Sequence, residues 1–439
     1  MLQLTSHPAA PLSGGFAPPG DKSITHRAYL LGLLAAGSLR VKNANPGADC
    51  AATLDLAQVL GARLDRDVLH GTDGTLSEPG GVLECGNSGT TLRLTAGVLA
   101  AQPFFSVLTG DTSLRQRPVA RIVEPLRRMG ATLDAADAGR RPPLAIRGAA
   151  LTGIDHVVPV ASAQVLSCVL LAGLSARGRT SVELPGAARD HTERMLTAFG
   201  VPVTVEARGD GGRRVSIEGP VSFDARDRAL EIPGDFSAAA FFLAAAAARE
   251  GAHVTATGVN LNPTRTGLLD VIERMGARIT RAHARIEAGE EVGDVTVHGA
   301  RLTGIDVPAS WLPRWIDEVP AWIVAAALAG GRSRITGAAE LRVKESDRIA
   351  SLARNLTAVG IDVTETSDGL VIEGGTPRGG RVRAHGDHRL AMAFAVLGSA
   401  ARAPVIVEDT ACIATSYPGF AEDFRRLGGD LEEQEGFAA

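Results

Sequence analysis

The sequence predicts an α/β protein made of six copies of one βαβαββ unit, set out as two lobes of three. Three patterns predict it. An apolar, Ala/Leu-rich helix of about three turns recurs behind a polar turn in each copy. An amphipathic helix follows and stops at a glycine. Short β-branched runs come after both kinds of helix. The period is roughly 65–80 residues, longer than the 20–50 of simple solenoids, so each copy has room for its own sheet.

Copy one opens Gly20-Asp21-Lys22-Ser23-Ile24-Thr25-His26-Arg27 and runs into the apolar stretch 28–37. Copy two opens Gly86-Asn87-Ser88-Gly89-Thr90-Thr91-Leu92-Arg93, with a helix over 94–101 and a strand over 104–109. Copy three opens Ala161-Ser162-Ala163-Gln164, with a helix over 165–174 and a strand over 180–184. Copy four opens Gly234-Asp235-Phe236-Ser237, with a helix over 238–248 and a strand over 253–257. Copy five opens Ile316-Asp317-Glu318-Val319-Pro320, with a helix over 321–329 and a strand over 332–336. Copy six opens His385-Gly386-Asp387-His388-Arg389, with a helix over 390–400 and a strand over 404–407.

The first helix of each copy is apolar nearly all round and should be buried. The amphipathic helices are expected over 54–60, 119–129, 192–199, 267–275, 348–359 and 420–427. They end at Gly61, Gly130, Gly200, Gly276, Gly360 and Gly428, the residue type that closes a helix in the left-handed conformation. Chance recurrence would not keep these stops in register. Lobe two should comprise residues 20–231, and lobe one residues 1–19 plus 232–439. The strand Gln3-Leu4-Thr5 then belongs with the second half of the chain, and the chain should cross near 16–20 and 231–235.

Composition narrows the function. With 45% hydrophobic and 21% charged residues, the 439-residue chain is an ordinary globular protein. Aromatics at 4% argue against base stacking, and a net charge of −4 gives no basic field for nucleic acid or an acidic membrane. The four cysteines, Cys50, Cys85, Cys168 and Cys412, lie far apart without metal-ligand spacing, which suits reduced thiols in the cytosol. The first ten residues lack the basic and apolar regions of a secretory signal, and the apolar runs are too short to span a bilayer.

The chemistry sits on the helix starts. Lys22, Arg27, Arg93, Arg117, Arg189, Lys344, Arg348 and Arg389 all lie in or beside polar turns. A helix start carries unpaired N–H groups and partial positive charge, so added cations make an anion seat. If the helices start on a common face, a mildly acidic protein has focused its cations for a small polyanion. Asp317 and Glu345 among them are candidate acid/base groups. Taken singly, each could instead be half of a surface ion pair or an ordinary cap. Other motifs fail. Asp21 between Gly20 and Lys22 breaks the Walker A spacing, and Gly86-Asn87-Ser88-Gly89 is not GxGxxG. His385 and His388 have no third ligand in sight, and there is no GxSxG elbow.

Eight motifs in order resemble one family. They are Gly20-Asp21-Lys22-Ser23 with Arg27, and Gly86-Asn87-Ser88-Gly89-Thr90-Thr91 with Arg93. Gly110-Asp111 with Ser113-Leu114 and Arg117-Pro118 follows, then Ser162-Ala163-Gln164 and Arg189-Asp190-His191-Thr192-Glu193. Asp317-Glu318 with Pro320, Arg342-Val343-Lys344-Glu345-Ser346-Asp347-Arg348 and Gly386-Asp387-His388-Arg389 complete the set. Together they resemble the EPSP synthase family of enolpyruvyl transferases over nearly the whole chain. The resemblance implies a two-lobed inside-out α/β barrel closing on its substrates, with no metal and no cofactor. It implies transfer of the enolpyruvyl group of phosphoenolpyruvate to the 5-hydroxyl of shikimate 3-phosphate, through a tetrahedral ketal phosphate. The small molecules are then the partners, with no nucleic acid or membrane, and a cytoplasmic monomer is expected.

By the same resemblance, Glu345 donates and takes the methylene proton, Asp317 takes the hydroxyl proton, and Lys22, the third catalytic residue, touches both substrates and shares the proton work. Ser23, Arg27, Ser162, Ala163, Gln164, Arg189, Asp317 and Lys344 hold shikimate 3-phosphate. Gly89, Arg117, Gln164, Arg348 and Arg389 hold phosphoenolpyruvate, with Arg93 behind them. Thr415 stands where many members have Lys, and Glu340 where some have Asn, so those contacts do not carry over. The sister family acting on UDP-N-acetylglucosamine is an alternative, but its loop cysteine is replaced by Thr112. A non-catalytic anion binder would not need both Asp317 and Glu345.

Overall fold

The computed structural model describes residues 2–209, 211–226 and 228–435. The chain divides into two compact units. Unit 1 comprises Met1–Pro19, Pro233–Arg285 and Glu291–Ala439, and unit 2 comprises Gly20–Ile232 and Ile286–Glu290. Met1, Asp210, Asp227 and residues 436–439, which the expected lobes include, lie outside the described residues. Two details differ from the expected boundaries. Ile232 falls with unit 2, because its N–H donates to the Lys42 carbonyl and its own carbonyl accepts from Asn43. The turn Ile286–Glu290 also joins unit 2, where Glu290 meets His191, so the chain passes between units at two further points.

Each copy carries two helices: α1 (Lys22–Leu34) and α2 (Ala48–Val59), α3 (Gly89–Leu99) and α4 (Ala120–Met129), α5 (Ala163–Gly173) and α6 (His191–Ala198) in unit 2. Unit 1 has α7 (Phe236–Ala247) and α8 (Gly267–Arg274), α9 (Val319–Leu328) and α10 (Arg348–Ala358), α11 (His388–Gly398) and α12 (Phe420–Arg426). Helix α2 begins six residues before the expected Leu54, because its first turns carry Asp49 and small residues that mask the apolar pattern.

Five of the six first helices begin on side-chain caps, α9 being the exception. Asp21, Ser88, Ser162, Asp235 and Asp387 each accept a backbone N–H of the first turn of α1, α3, α5, α7 and α11. These helices are apolar on all sides and are buried accordingly; every residue of α7 is inside. The amphipathic helices all stop the same way. Gly61, Gly130, Gly200, Gly276, Gly360 and Gly428 have φ between 81° and 119°. The next N–H reaches back to the last turn in every case, as from Ala62 to the Ala57 carbonyl and from Ile361 to Leu356. A side chain at those φ values would be strained, so glycine is what makes this stop.

The described residues form six sheets, one per copy. Copies two and three build theirs from contiguous chain. In copy two, Leu83–Glu84 pairs parallel with Phe105–Thr109, which pairs antiparallel with Arg141–Arg147, and Thr132–Ala135 closes the edge. Three other copies borrow a strand. Arg228–Glu231 pairs parallel with Ser38–Lys42 of copy one, and Ser13–Phe16 pairs parallel with His253–Asn260 of copy four. Leu2–His7 is inserted between Val405–Glu408 and Asp430–Glu435 of copy six, antiparallel to both. Copy five has three strands. Its first strand is reduced to the bridges Thr303–Gly330 and Asp306–Arg334.

Each unit has its own apolar core. In unit 1, Phe242 of α7 stacks on Phe420 at 5.2 Å and Phe424 at 5.9 Å, and meets Phe16 edge-on at 5.1 Å. Burying one such ring contributes roughly 1.5–3 kcal/mol. In unit 2 the buried helices come close enough that a Cβ on Gly97 of α3 would lie 2.2 Å from the Cys168 carbonyl of α5.

Candidate active site

In unit 2, side chains tie the starts of α1, α3 and α5 together. The Lys22 ammonium, at the first position of α1, pairs with Asp49 in the first turn of α2. Arg27, one turn further in, is buried. Its Nε donates to Thr192 Oγ1 at 2.7 Å, its Nη2 to Ser167 Oγ at 2.7 Å, and its Nη1 to the Ser23 carbonyl at 2.8 Å. Burial pulls its pKa from 12.5 down to about 10, against the raising effect of Glu193 and Asp21, so the guanidinium stays charged near neutral pH. Arg189 Nη1 lies 3.4 Å from Ser23 Oγ. Lys22, Ser23, Arg27 and Arg189 therefore cluster at the opening of one helix.

The second group lies at the starts of α3 and α5. Ser162 caps α5, with Ala163 and Gln164 in its first turn. Gln164 accepts from Arg93 Nη1 at 2.8 Å and donates to Thr90 Oγ1 at 2.9 Å. Arg93 also donates to the Pro118 carbonyl, which fits a supporting position. Arg117 donates to Asn87 Oδ1 and to Ser113 Oγ. A Cβ at Gly89 would lie 2.6 Å from Arg93 Nη1 and 3.6 Å from Arg117 Nη1. The bare glycine thus lets the Arg93 guanidinium approach the start of α3, with Arg117 beyond it. Beneath it runs a buried polar chain: His26 Nδ1 to Thr53 Oγ1 at 2.6 Å, Thr53 to Thr91 at 2.7 Å, and Thr91 to Ser88 at 2.7 Å. It links α1, α2 and the cap of α3. Burial, with Lys22 and Arg27 nearby, holds the His26 pKa well below its ordinary value.

In unit 1, Arg348 is the centre. It opens α10, and its side chain is 1% exposed. Its Nε donates to Asp387 Oδ2 at 2.7 Å and its Nη2 to Glu345 Oε2 at 2.6 Å. Its Nη1 lies 3.6 Å from Asp317 Oδ1 and, among the described residues, makes no hydrogen bond. Burial alone would lower the Arg348 pKa; Asp387, Glu345 and Asp317 raise it above its ordinary value instead. The carboxylates differ in access. Asp387 is fully buried, whereas Asp317 and Glu345 are 17% and 20% exposed. Lys344 Nζ lies 3.6 Å from Asp317 and 3.0 Å from Glu340, so Glu340 is a lysine partner here. Arg389 Nη1 donates to the Asp317 carbonyl at 2.6 Å. Thr415 turns its hydroxyl back to the Cys412 carbonyl at 2.7 Å, closing its own turn.

Sequence reasoning did not single out Asp49, Thr53, Ser237, Arg265 or Glu318. Asp49 carried a readable signal, an acid in the first turn of a helix beside a lysine-bearing turn. Thr53 sits inside an apolar pattern, while Ser237, Glu318 and Arg265 sit in polar turns where nothing marks which side chains turn inward. Burial pushes the Cys85 and Cys168 thiols up, and raises Cys412 to about 12 with Asp387 and Asp409 adding, so these three are poor nucleophiles near neutral pH.

The chain as a whole has known relatives. A family model described as EPSP synthase (3-phosphoshikimate 1-carboxyvinyltransferase) matches residues 7–424. The chain is 47% identical over 430 residues to 3-phosphoshikimate 1-carboxyvinyltransferase of Geobacter sulfurreducens, covering 96% of this chain and 98% of that one. It is 45% identical over 433 residues to the protein of the same name from Desulforamulus reducens, covering 97% and 99%. Among solved structures, EPSP synthase from Acinetobacter baumannii superposes with a TM-score of 0.87 at 41% identity, covering 99% of this chain and 100% of that chain. The enolpyruvyl transferase NikO from Streptomyces tendae shares the fold, with a TM-score of 0.77 at 18% identity over 99% of each chain.

Proposed function

The chain belongs to the EPSP synthase family, and on that premise we propose which of its residues carry the reaction. The enzyme transfers the enolpyruvyl group of phosphoenolpyruvate to the 5-hydroxyl of shikimate 3-phosphate and releases phosphate, a step toward the aromatic amino acids. Both substrates are polyanions, so the cations at the helix starts set where each binds.

The carrying observation is that Arg348 joins the two accessible carboxylates, Asp317 and Glu345, to the buried Asp387. One guanidinium thereby fixes two groups able to move protons, while leaving each partly open. Glu345 protonates the methylene carbon of phosphoenolpyruvate, which makes the central carbon cation-like. Asp317 takes the proton of the attacking 5-hydroxyl, giving the ketal phosphate. Glu345 then recovers a methyl proton as the C–O bond to phosphate breaks, which restores the enol ether. Lys22 touches both substrates and offsets their charge.

Ser23, Arg27, Arg189, Ser162, Ala163, Gln164, Asp317 and Lys344 hold shikimate 3-phosphate. The Arg27, Ser23 and Arg189 cluster supports this, since it offers a charged seat for a phosphate. Gly89, Arg117, Gln164, Arg348 and Arg389 hold phosphoenolpyruvate. The guanidinium groups of Arg93 and Arg117 beside Gly89, and the Nη1 of Arg348, which pairs with Asp317 without a hydrogen bond among the described residues, support that half. Units 1 and 2 serve as the two lobes, and the enzyme acts as a monomer in the cytoplasm. Phosphate release is the test: it should require both phosphoenolpyruvate and shikimate 3-phosphate. Release with UDP-N-acetylglucosamine in place of shikimate 3-phosphate, or none with either, refutes the reading.

A further inference from the structure

Two consecutive carboxylates in unit 1 face different surroundings. Asp317 and Glu318 share the one-turn helix Ile316–Glu318, closed by the Glu318 N–H donating to the Trp315 carbonyl at 2.8 Å. So tight a turn puts successive side chains about a third of a circle apart. Asp317 meets Lys344 and Arg348, while Glu318 points inward and is 1% exposed. A carboxylate that deep is costly unless it is paired and hydrogen-bonded.

Its partners form a line of side chains from three helix starts. Ser237, in the first turn of α7, donates its hydroxyl to Glu318 Oε1. Arg265, equally buried, donates from Nη2 to that Ser237 oxygen at 2.8 Å and to Asp235 Oδ1 at 3.0 Å. Asp235 caps α7 through the Ser237 N–H at 2.7 Å. On the other side, Glu318 Oε1 lies 3.8 Å from Arg389 Nη1, and that same nitrogen donates to the Asp317 carbonyl at 2.6 Å. Two buried carboxylates and two arginines thus alternate in charge along one path, which ends on the backbone of Asp317.

We propose that Glu318 is a positioning residue for the reaction. Held by Ser237, which Arg265 braces in turn, it fixes the Arg389 guanidinium for phosphoenolpyruvate and, through Arg389, the Asp317 backbone. This rests on the assignment of Arg389 to phosphoenolpyruvate made above. Glu318→Gln keeps the shape and an oxygen for Ser237 but removes the charge facing Arg389.

The test is a double-mutant cycle of E318Q with R389Q, read as KM for each substrate. E318Q should raise KM for phosphoenolpyruvate about tenfold, the size expected when a charge-assisted contact is lost. KM for shikimate 3-phosphate should stay within about twofold, since of its proposed ligands only Asp317 is reached from Glu318, and only through its backbone carbonyl. In the R389Q background, E318Q should add nothing to KM for phosphoenolpyruvate. If R389Q raises that KM but E318Q leaves it unchanged, the positioning role is refuted while the site assignment stands. If R389Q has no effect, both fall. Should E318Q fold poorly, Ser237→Ala decides: it removes only the hydroxyl and should move KM for phosphoenolpyruvate alone. Equal changes in both KM values, or none, would overturn the proposal.

Discussion

Removing the carboxylate of Asp387 should cost stability and activity together, and its surroundings set the size. Asp387 is fully buried and accepts from Arg348 Nε at 2.7 Å and Nη2 at 3.4 Å. It also accepts from Ser346 Oγ at 3.3 Å and caps α11 through the Arg389 N–H at 3.0 Å. Breaking one side of a buried ion pair costs about 3–5 kcal/mol, and losing a cap about 1 more. Arg348 keeps Glu345 and Asp317, so the lower part of that range applies and Asp387→Ala should lose about 3–4 kcal/mol. Trp311, Trp315 and Trp322 are the three tryptophans of the chain and all lie in unit 1. Tryptophan fluorescence in urea therefore reports the unit that holds Asp387. Asp387→Asn, which can still cap and accept, should lose less. Phosphate release should fall at least tenfold in the alanine variant, because the guanidinium that also holds Glu345 and Asp317 then loses its buried anchor. A loss below about 1 kcal/mol with unchanged turnover would refute the reasoning, since Arg348 would not need Asp387.

Glu345→Gln should abolish phosphate release while calorimetry still detects shikimate 3-phosphate binding; lost binding would make Glu345 structural. Burial keeps the His26 pKa low in the folded chain, so the unfolded chain takes up the extra proton as pH falls below about 6.5. Stability should therefore drop on acidification by up to about 1.4 kcal/mol per pH unit for this one proton. His26→Asn should remove that slope between about pH 6.5 and 5 in urea titrations followed by circular dichroism, and an identical slope would contradict it. Gly97→Ala puts a Cβ 2.2 Å from the Cys168 carbonyl, so α3 and α5 must separate, with a loss of about 1–3 kcal/mol measurable by thermal melting. An unchanged melting point would show that the helices yield freely.

The repeat was legible because its signals are local. A cap such as Asp21 or Ser88 and a stop such as Gly61 or Gly360 act within one helical turn, so sequence alone locates them. The site was legible to the extent that it sits on those turns, as with Lys22, Ser23 and Arg27. Strand pairing was not. Nothing in Arg228–Glu231 says that it lies beside Ser38–Lys42, or in Ser13–Phe16 that it joins His253–Asn260, because short strands carry no record of distant partners. The direction of a buried acid was equally hidden. Glu318 and Asp317 look alike in sequence, and only the turn sends one inward and the other toward Lys344. Arg348 reads as a simple cation, yet it is saturated on two sides by Asp387 and Glu345.

The inserted strand Leu2–His7 bears on how the polypeptide is made. It lies between Val405–Glu408 and Asp430–Glu435, with Gln3 opposite both Glu408 and Gln434. The strand therefore leaves the ribosome roughly 400 residues ahead of both of its partners. At about 5–20 residues per second that delay is roughly 20–80 s. Residues 20–232 can meanwhile assemble their own apolar core, since all but five residues of unit 2 are already present. Through that interval the segment's backbone N–H and C=O groups lack the ladder partners they have in the folded sheet. Its removal would split a sheet through the middle, not trim its rim.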